Sequence, residues 1–489
     1  MSNYILKFYL CNQLIISFVT LIKIAMISML KRLRYAYTTL SCAFLLASFV
    51  LFTSCNTSNN PPAQKFQIAH PEWSYNATIY EVNLRQYTPS GTLNEFKNHI
   101  PELKKLGVKI IWFMPIYPIG EVNRKGSLGS YYAVNDYMKV NPEYGNLEEF
   151  KEVVKMLHEN GMKVILDWVA NHTSWDNPLI TEHPDWYKHD STGKIVSPFD
   201  WTDVAQLDYS KPELHKYMIG AMKYWVTEAD VDGFRCDVAG MVPTPFWNDA
   251  RAELDKLKPV FMLAEAEQPD LQEYAFDMTY SWEFHHIMNQ IAQGKDSIPQ
   301  LDSCFQKELV NYPKNAFRMR FITNHDENSW NGSEFERMGD AVKTMAALSF
   351  VVPGMPLIYS GQEVGMQKRL LFFDKDTINW IDNAWFPFYQ KLVELKATNP
   401  ALANGEKGAD MFRIISLNKK IYAFTRENEK GKVLAIFNFS NEKQSFTLEN
   451  EAVAGNYGDL FAEKATEINL QDKANFTLEP WGFLIYVKK

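Results

Sequence analysis

GFRCDVAG, residues 233–240, closes the apolar run ADVDGFRCD (229–237) with an arginine and an aspartate two positions apart. If the run is a strand, side chains alternate between its faces, so Arg235 and Asp237 point the same way. An arginine beside a carboxylate favours the ionised form of that carboxylate. Taken alone, the pair reads as a structural ion pair, a common and weakly informative feature. Its neighbours along the chain decide whether it is more than that.

Working outward, seven further short apolar runs alternate with amphipathic stretches. Before GFRCD come TIYEVNL (78–84), VKIIWFM (108–114) and KVILDWV (163–169); after it come VFMLAE (260–265), AFDMTY (275–280), FRMRFITN (317–324) and MPLIYSG (355–361). The stretch NLEEFKEVVKMLHENG between them predicts a helix. Leu147, Phe150, Val154 and Leu157 share one face, Asn146 and Glu149 make a capping pair, and Gly161 follows the end. Eight alternations of strand and helix predict an α/β fold, a parallel (β/α)8 TIM barrel. The alternative, a doubly wound open sheet, lacks the G-x-G-x-x-G expected after its first strand.

Two segments depart from the alternation. Residues 172–212, after the third strand, form a long insert rich in Trp, Asp and Pro, and insertions of that length usually carry function. From residue 407 the pattern changes to KIYAFTREN, KVLAIFNFS and GFLIYVKK, the alternation of an antiparallel β-sandwich domain. The expected organisation is a signal segment at 1–54, a linker at 55–70, a barrel at 71–406 containing the insert, and a C-terminal β domain at 407–489.

The 489 residues carry a net charge of -8, which argues against a nucleic-acid partner or an anionic membrane surface. At the N-terminus Lys31, Arg32 and Arg34 precede the apolar stretch Leu40–Phe52, followed by Thr53, Ser54 and Cys55. A basic region, an apolar region and small residues before a cysteine resemble a bacterial lipoprotein signal. Cys55 is then the expected lipidated first residue, with translation starting at Met29. Phe52 departs from the leucine usual three residues before such a cysteine. An uncleaved membrane anchor is the alternative. The expected location is outside the cytoplasm, lipid-anchored, periplasmic or at the cell surface. Processing at Cys55 leaves Cys236 and Cys304 as the only thiols, so no disulfide framework or metal-ligand spacing is visible.

In a TIM barrel the functional face is formed by the C-terminal ends of the strands. Asp237 ends the fourth strand and Glu265 the fifth. Asn324, His325 and Asp326 follow the seventh; Asp167, Asn171 and His172 end the third. One acid at such a mouth has an easy structural explanation. Several acids from separate strands do not.

In this order the motifs resemble those of the α-amylase family of glycoside hydrolases along almost the whole chain after the signal segment. DWVANH, GFRCDVAG, MLAEAE and FITNHDEN are similar to its four conserved regions. GVKIIWFMPIYP and PGMPLIYSGQEVGM are similar to its second- and eighth-strand signatures. The resemblance implies a retaining α-glycoside hydrolase acting on α-1,4-glucans or maltooligosaccharides. Asp237 is the implied nucleophile and Glu265 the general acid and base, with Glu267 as the competing acid two residues on. Asp326 is the third catalytic carboxylate. His172 and His325 are the implied hydroxyl partners of the sugar, Arg235 the partner of Asp237, and Tyr132 of YAVNDY the stacking aromatic, although Tyr131 beside it competes for that role.

The pattern also departs from the family. Gly240 and Met241 stand where secreted members usually carry Lys-His. Gln206 of VAQLD stands where they place a calcium-binding aspartate, so only Asn171 remains as a metal ligand. No cofactor is required by the chemistry, and a structural calcium rests on Asn171 alone. DVA after the arginine is closer to the cyclomaltodextrinase and neopullulanase members, whose insert motif VAQLD does not match. Three other readings stay open. A transglycosylase or isomerase uses the same residues; a non-catalytic glycan-binding relative typically lacks one of the acids. A zinc hydrolase built on His172 and His325 lacks the H-x-H or H-x-x-x-H spacing of a metal site.

Overall fold

The period-two pattern of the eight apolar runs closes into a barrel. The molecule, a computed structural model, is described over residues 68–381, 384–464 and 467–489. The signal segment, Met29, Cys55 and most of the linker lie outside the described residues. The barrel strands are Ile79–Val82, Ile110–Phe113, Lys163–Trp168, Gly233–Cys236, Phe261–Ala264, Met278–Tyr280, Phe317–Arg320 and Met355–Tyr359. All neighbours are parallel, and the first strand pairs with both the second and the eighth. Among the described residues no helix is long and apolar enough to cross a membrane.

Alternation along these strands sorts the core into two populations. Ile79, Ile110, Ile165, Phe261, Leu263 and Leu357 belong to a buried cluster inside the barrel. Tyr80, Ile111, Val164, Phe234, Met262 and Ile358 join the larger cluster beneath the helices. Continuing three of these inward columns by two residues reaches an acid: Glu81 after Ile79, Asp167 after Ile165, Glu265 after Leu263. On the fourth strand the inward column is Gly233, Arg235, Asp237. Gly233 has φ +151°, and a Cβ there would meet Phe261 O at 1.9 Å. Only glycine allows the fourth and fifth strands to approach this closely.

The helix Leu147–Glu159 forms as its pattern predicts. Asn146 Oδ1 accepts from Glu149 N at 3.1 Å, and Glu149 Oε2 accepts from Asn146 N at 3.0 Å, completing a capping box. Phe150, Val154 and Leu157 are buried, joined by Val153. The insert after the third strand is built on the hairpin His172–Ser174 with Val204–Gln206, and ends at the helix Pro212–Ala229.

Beyond the barrel, six antiparallel strands pair in the order Met411–Ile414, Ile421–Asn428, Gly431–Asn438, Phe483–Lys488, Gly455–Asp459, Glu467–Leu470. A two-stranded ribbon, Gln444–Glu449 with Lys473–Leu478, covers one face. Ile421, Ala423, Leu434 and Ile436 face that ribbon. The alternate residues Tyr422, Phe424, Val433 and Ala435 belong instead to the cluster that runs under the barrel helices. The barrel and this sheet belong to one compact unit, with the central strands of the sheet buried on both faces.

Candidate active site

Arg235 is the centre of the barrel mouth. It is fully buried, and its Nη1 donates to Asp167 Oδ1 at 2.9 Å and to Asp237 Oδ1 at 3.1 Å. Its Nη2 lies 2.9 Å from Glu265 Oε2, in charge contact but out of line for a hydrogen bond. Nε donates to Tyr280 OH at 3.2 Å, and the guanidinium carbon sits 5.0 Å from the centre of the Trp112 ring. One cation thus joins carboxylates from the third, fourth and fifth strands.

Glu265 is held from a second side. The Val238 N–H donates to its Oε2 at 2.8 Å. Val238 itself has φ +35°, a left-handed conformation that is unfavourable for a β-branched residue. Strain immediately after Asp237 therefore aims a main-chain donor at the neighbouring acid. The competing acid is accounted for elsewhere: Glu267 Oε1 accepts from Arg318 Nη2 at 2.9 Å. The chain leaves the fifth strand at Ala264, so two-residue spacing no longer implies a shared face.

Charge crowding shapes the protonation of the cluster. Burial, and after it the charge of Glu265, push the Asp237 carboxyl well above the usual range, while Arg235 pulls it down. The expectation that Arg235 by itself keeps Asp237 ionised is incomplete, because the same guanidinium also serves Asp167 and Glu265. Carboxyl groups crowded on one cation favour retention of a proton within the cluster. Asp167 is pushed up to about 6 by burial, against the opposing charges of Arg235 and His325. Its Oδ2 accepts from Trp112 Nε1 and from Tyr132 OH, each at 3.1 Å.

The remaining residues anticipated from the sequence divide into two groups. Tyr132 OH is 2.7 Å from His325 Nε2, and the two rings stack with centroids 5.5 Å apart. Tyr131 turns away, donating to Asn83 Oδ1 at 3.0 Å beneath Arg85. Asp326 Oδ2 is 3.3 Å from His325 Nε2. Burial raises the Asp326 carboxyl, but the charge and hydrogen bond of His325 outweigh it and leave it below the ordinary value. These groups form one network with Arg235. His172 stands outside that network. It pairs with Asn171 Nδ2 at 3.2 Å, packs edge-on to Trp201, and is pushed down to about 3 by burial, so it is neutral.

Asn171, the metal ligand anticipated from the sequence, lies between the third barrel strand and the insert hairpin. Asn171 directs its amide onto His172 Nδ1, and Gln206 pairs with His172 across the hairpin. Among the described residues no group of three His, Cys, Asp or Glu is arranged to hold a metal.

Two features were missed in the sequence, and a third, Asp167, was placed at its strand end without a role. Glu81 contacts His325 from the first strand; an acid inside the apolar run TIYEVNL was its only local signal. Asp167 is the acid that ties Arg235 to Tyr132. An aromatic wall also borders the mouth, where Phe372 lies parallel to Tyr132 at 6.4 Å and half-exposed Trp330 packs on Phe372 at 4.9 Å. That wall comes from the short helical turn Glu327–Asn331 and an irregular segment around Phe372, too short or too irregular for periodicity to carry information.

Residues 52–206 and 182–391 match the family described as the alpha amylase catalytic domain, and residues 412–485 match the maltogenic amylase C-terminal domain. The chain belongs to the alpha-amylase family. Among solved structures of the family, it is similar to the noncanonic maltogenic alpha-amylase AmyB from Thermotoga neapolitana: TM-score 0.78, 30% identity, covering 85% of this chain and 99% of that one. An alpha-amylase from Lactobacillus plantarum superposes with TM-score 0.77 at 33% identity, covering 85% of this chain and all of its own. The Alpha-amylase MalA of Haloarcula japonica is 26% identical over 394 residues, 76% of this chain and 56% of that longer protein. As an alpha-amylase family glycosidase, the chain combines the barrel and the C-terminal β sheets in a single unit.

Proposed function

We propose that this protein is a retaining α-glucan hydrolase that cleaves α-1,4-linked maltooligosaccharides or starch fragments. The observation that carries the reading is the sharing of Arg235 by Asp237 and Glu265 at one barrel mouth, while Glu267 is engaged by Arg318. Acetal cleavage passes through an oxocarbenium-like state, which needs a proton for the leaving oxygen and a carboxylate at the anomeric carbon. Glu265 donates the proton as Asp237 attacks, giving a glycosyl-enzyme ester and the free leaving hydroxyl. Glu265, now ionised, takes a proton from water, whose oxygen displaces Asp237 and restores the original anomeric configuration. Asp326 and His325 receive sugar hydroxyls, and Tyr132 packs on the sugar face; His172, turned onto Asn171 and Trp201, is given no part in these steps. No cofactor enters this chemistry. The names of similar proteins, maltogenic α-amylases and cyclomaltodextrinases, support short α-1,4-glucans as the substrate class.

Incubation with maltose, maltotriose, starch, pullulan and cyclodextrin tests this reading, with product anomers followed by NMR. Malto-products released first as the α-anomer are expected. A β-anomer as first product excludes the double displacement, and a lack of cleavage across the panel excludes the hydrolase. Predominant longer or rearranged products identify a transglycosylase or isomerase. We further propose that Cys55 carries lipid and anchors the enzyme outside the cytoplasm. Fatty-acid labelling of cells should mark the parent and not Cys55→Ser; equal labelling of both refutes the anchor.

A further inference from the structure

Glu81 is fully buried in the first strand, inward of the barrel, and plays no part in the steps above. Its Oε1 lies 2.5 Å from His325 Nδ1, and its Oε2 has no hydrogen-bond partner among the described residues. On the other edge of the imidazole, Nε2 faces Tyr132 OH at 2.7 Å and Asp326 Oδ2 at 3.3 Å. A neutral imidazole carries a single N–H. It can donate to Glu81 or toward Asp326, and in either case a ring lone pair then faces the other carboxyl group, an arrangement that is satisfied only if that carboxyl holds a proton; burial raises the Glu81 carboxyl, with the charges of His325 and Arg235 opposing it. Tyr132 has one hydroxyl hydrogen and a second acceptor for it, Asp167 Oδ2 at 3.1 Å.

We infer that Glu81 is a positioning residue that holds His325 doubly protonated, so that Nε2–H points at Tyr132 and Asp326 and the Tyr132 hydroxyl is committed to Asp167. The directions then agree along the whole chain. His325 donates to Glu81 and to Tyr132, Tyr132 donates to Asp167, and Arg235 donates to Asp167 and Asp237. With a neutral His325 whose N–H sits on Nδ1, Tyr132 must donate to Nε2 instead, leaving Asp167 one donor short and Asp326 against a lone pair. The first strand thereby sets the polarity of contacts that end at the proposed nucleophile.

The groups facing His325 from each packed element are consistent with a cation. Glu81 comes from the first strand, the Trp112 ring from the second, Tyr132 from the loop after it, and Asp326 from its own loop. Asp167 and Arg235 stand behind Tyr132, and Tyr280 and Tyr359 lie near Glu81. Burial opposes the charge on His325, but Asp326 and then Glu81 raise its pKa well above the ordinary range.

The inference rests on the proposed function only for the effect on turnover; the protonation state of His325 is tested without it. In the full-length protein with ¹⁵N-labelled histidine, ring nitrogen shifts report protonation, and loss of a signal in His325→Gln assigns the residue. In the parent, His325 is expected to be doubly protonated at pH 7. Glu81→Gln keeps the shape and an acceptor for Nδ1–H but removes the charge, and should lower the His325 transition by about one pH unit or more. On maltotriose, the alkaline limb of kcat/KM should move down with it, while activity at pH 5–6 returns to within about threefold of the parent. A purely structural role instead lowers activity equally at every pH. A neutral His325 in the parent at pH 7 overturns the inference even if Glu81→Gln fails to fold, as does an unchanged transition in a folded Glu81→Gln.

Discussion

Two arginines are buried in this molecule to almost the same degree, Arg235 fully and Arg426 at 1% exposure, and they do opposite things. Arg235 at the barrel mouth touches three carboxylates; burial lowers its pKa, but the charges of Asp167 and then Glu265 outweigh it and raise it well above the ordinary value. Arg426, in the strand Ile421–Asn428, donates to the carbonyls of Ala409 at 2.9 Å, Val352 at 3.1 Å and Ala403 at 3.3 Å. Burial, then the charge of Arg320, push it down to about 9, with Asp410 opposing. Main-chain carbonyls offer direction but no net charge, so Arg426 stitches the C-terminal sheet to the end of the helix Val342–Val351. Carboxylates offer charge that can be redistributed, so Arg235 organises groups that exchange protons. Burial of a charge is thus no signature of chemistry; the nature of its partners is.

The sharpest way to break this contrast is to remove the acids. Asp237→Asn should fold with an unchanged melting transition and lose at least about 10⁴-fold in turnover, since an amide cannot form the glycosyl-enzyme ester. Glu265→Gln should lose about 10²–10⁴-fold on maltotriose, yet retain a measurable burst with α-glucosyl fluoride, whose leaving group needs little protonation. Ordinary steady-state turnover in either variant removes the site from its proposed role.

Arg235→Leu tests the cation itself. It should lose about 10²–10³-fold in kcat. Without the guanidinium the Asp237 carboxyl rises further, and its ionised form appears only at higher pH. The acid limb of the residual pH–rate profile should therefore shift upward, and a downward shift contradicts the account of Arg235. Arg426→Met is the counterpart. It strands buried carbonyls and should destabilise by about 2–4 kcal/mol in urea titration, with kcat/KM at 25 °C within about twofold of the parent. A large loss of turnover in the folded Arg426→Met protein abolishes the distinction between the two arginines. The smallest expected effect is that of Glu267→Gln, within about threefold on maltotriose, because its partner is Arg318 and its removal leaves Arg235 untouched. If Glu267→Gln is as damaging as Glu265→Gln, the wrong acid has been assigned.

The alternation of inward and outward residues is a local property, and it was legible in the chain. Ile79, Ile165 and Leu263 each predict their strand by period two, and the inward charge that follows each of them falls at a strand end for the same reason. Arg235 and Asp237 share a face because they are two apart in one strand. The cap of the helix Leu147–Glu159 involves residues three apart and was equally readable. Where two assignments had the same local spacing, as for Glu265 and Glu267, spacing offered no decision. Arg318, 51 positions away, engages Glu267 and leaves Glu265 on Arg235, which is the ground of the proposed assignment.

What only the tertiary structure decided has the same cause throughout: partners far apart in sequence whose meeting no short pattern encodes. Glu81 and His325 are 244 positions apart, and before the barrel closes nothing distinguishes Glu81 from an acid at a strand's solvent edge. Arg426 reads in TREN as an ordinary strand arginine, and becomes a seam residue because Val352 and Ala403 arrive beside it from the barrel side. His172 stood in the motif beside the acids, yet the insert hairpin turns it onto Asn171 and Trp201. Side-chain alternation is set by each strand's own backbone, so the sequence determined the barrel and the acids at its mouth. Charge depends on whatever other strands and loops bring within a few ångströms, so only the folded chain determined which acids share a cation, which histidine is charged and which arginine is structural.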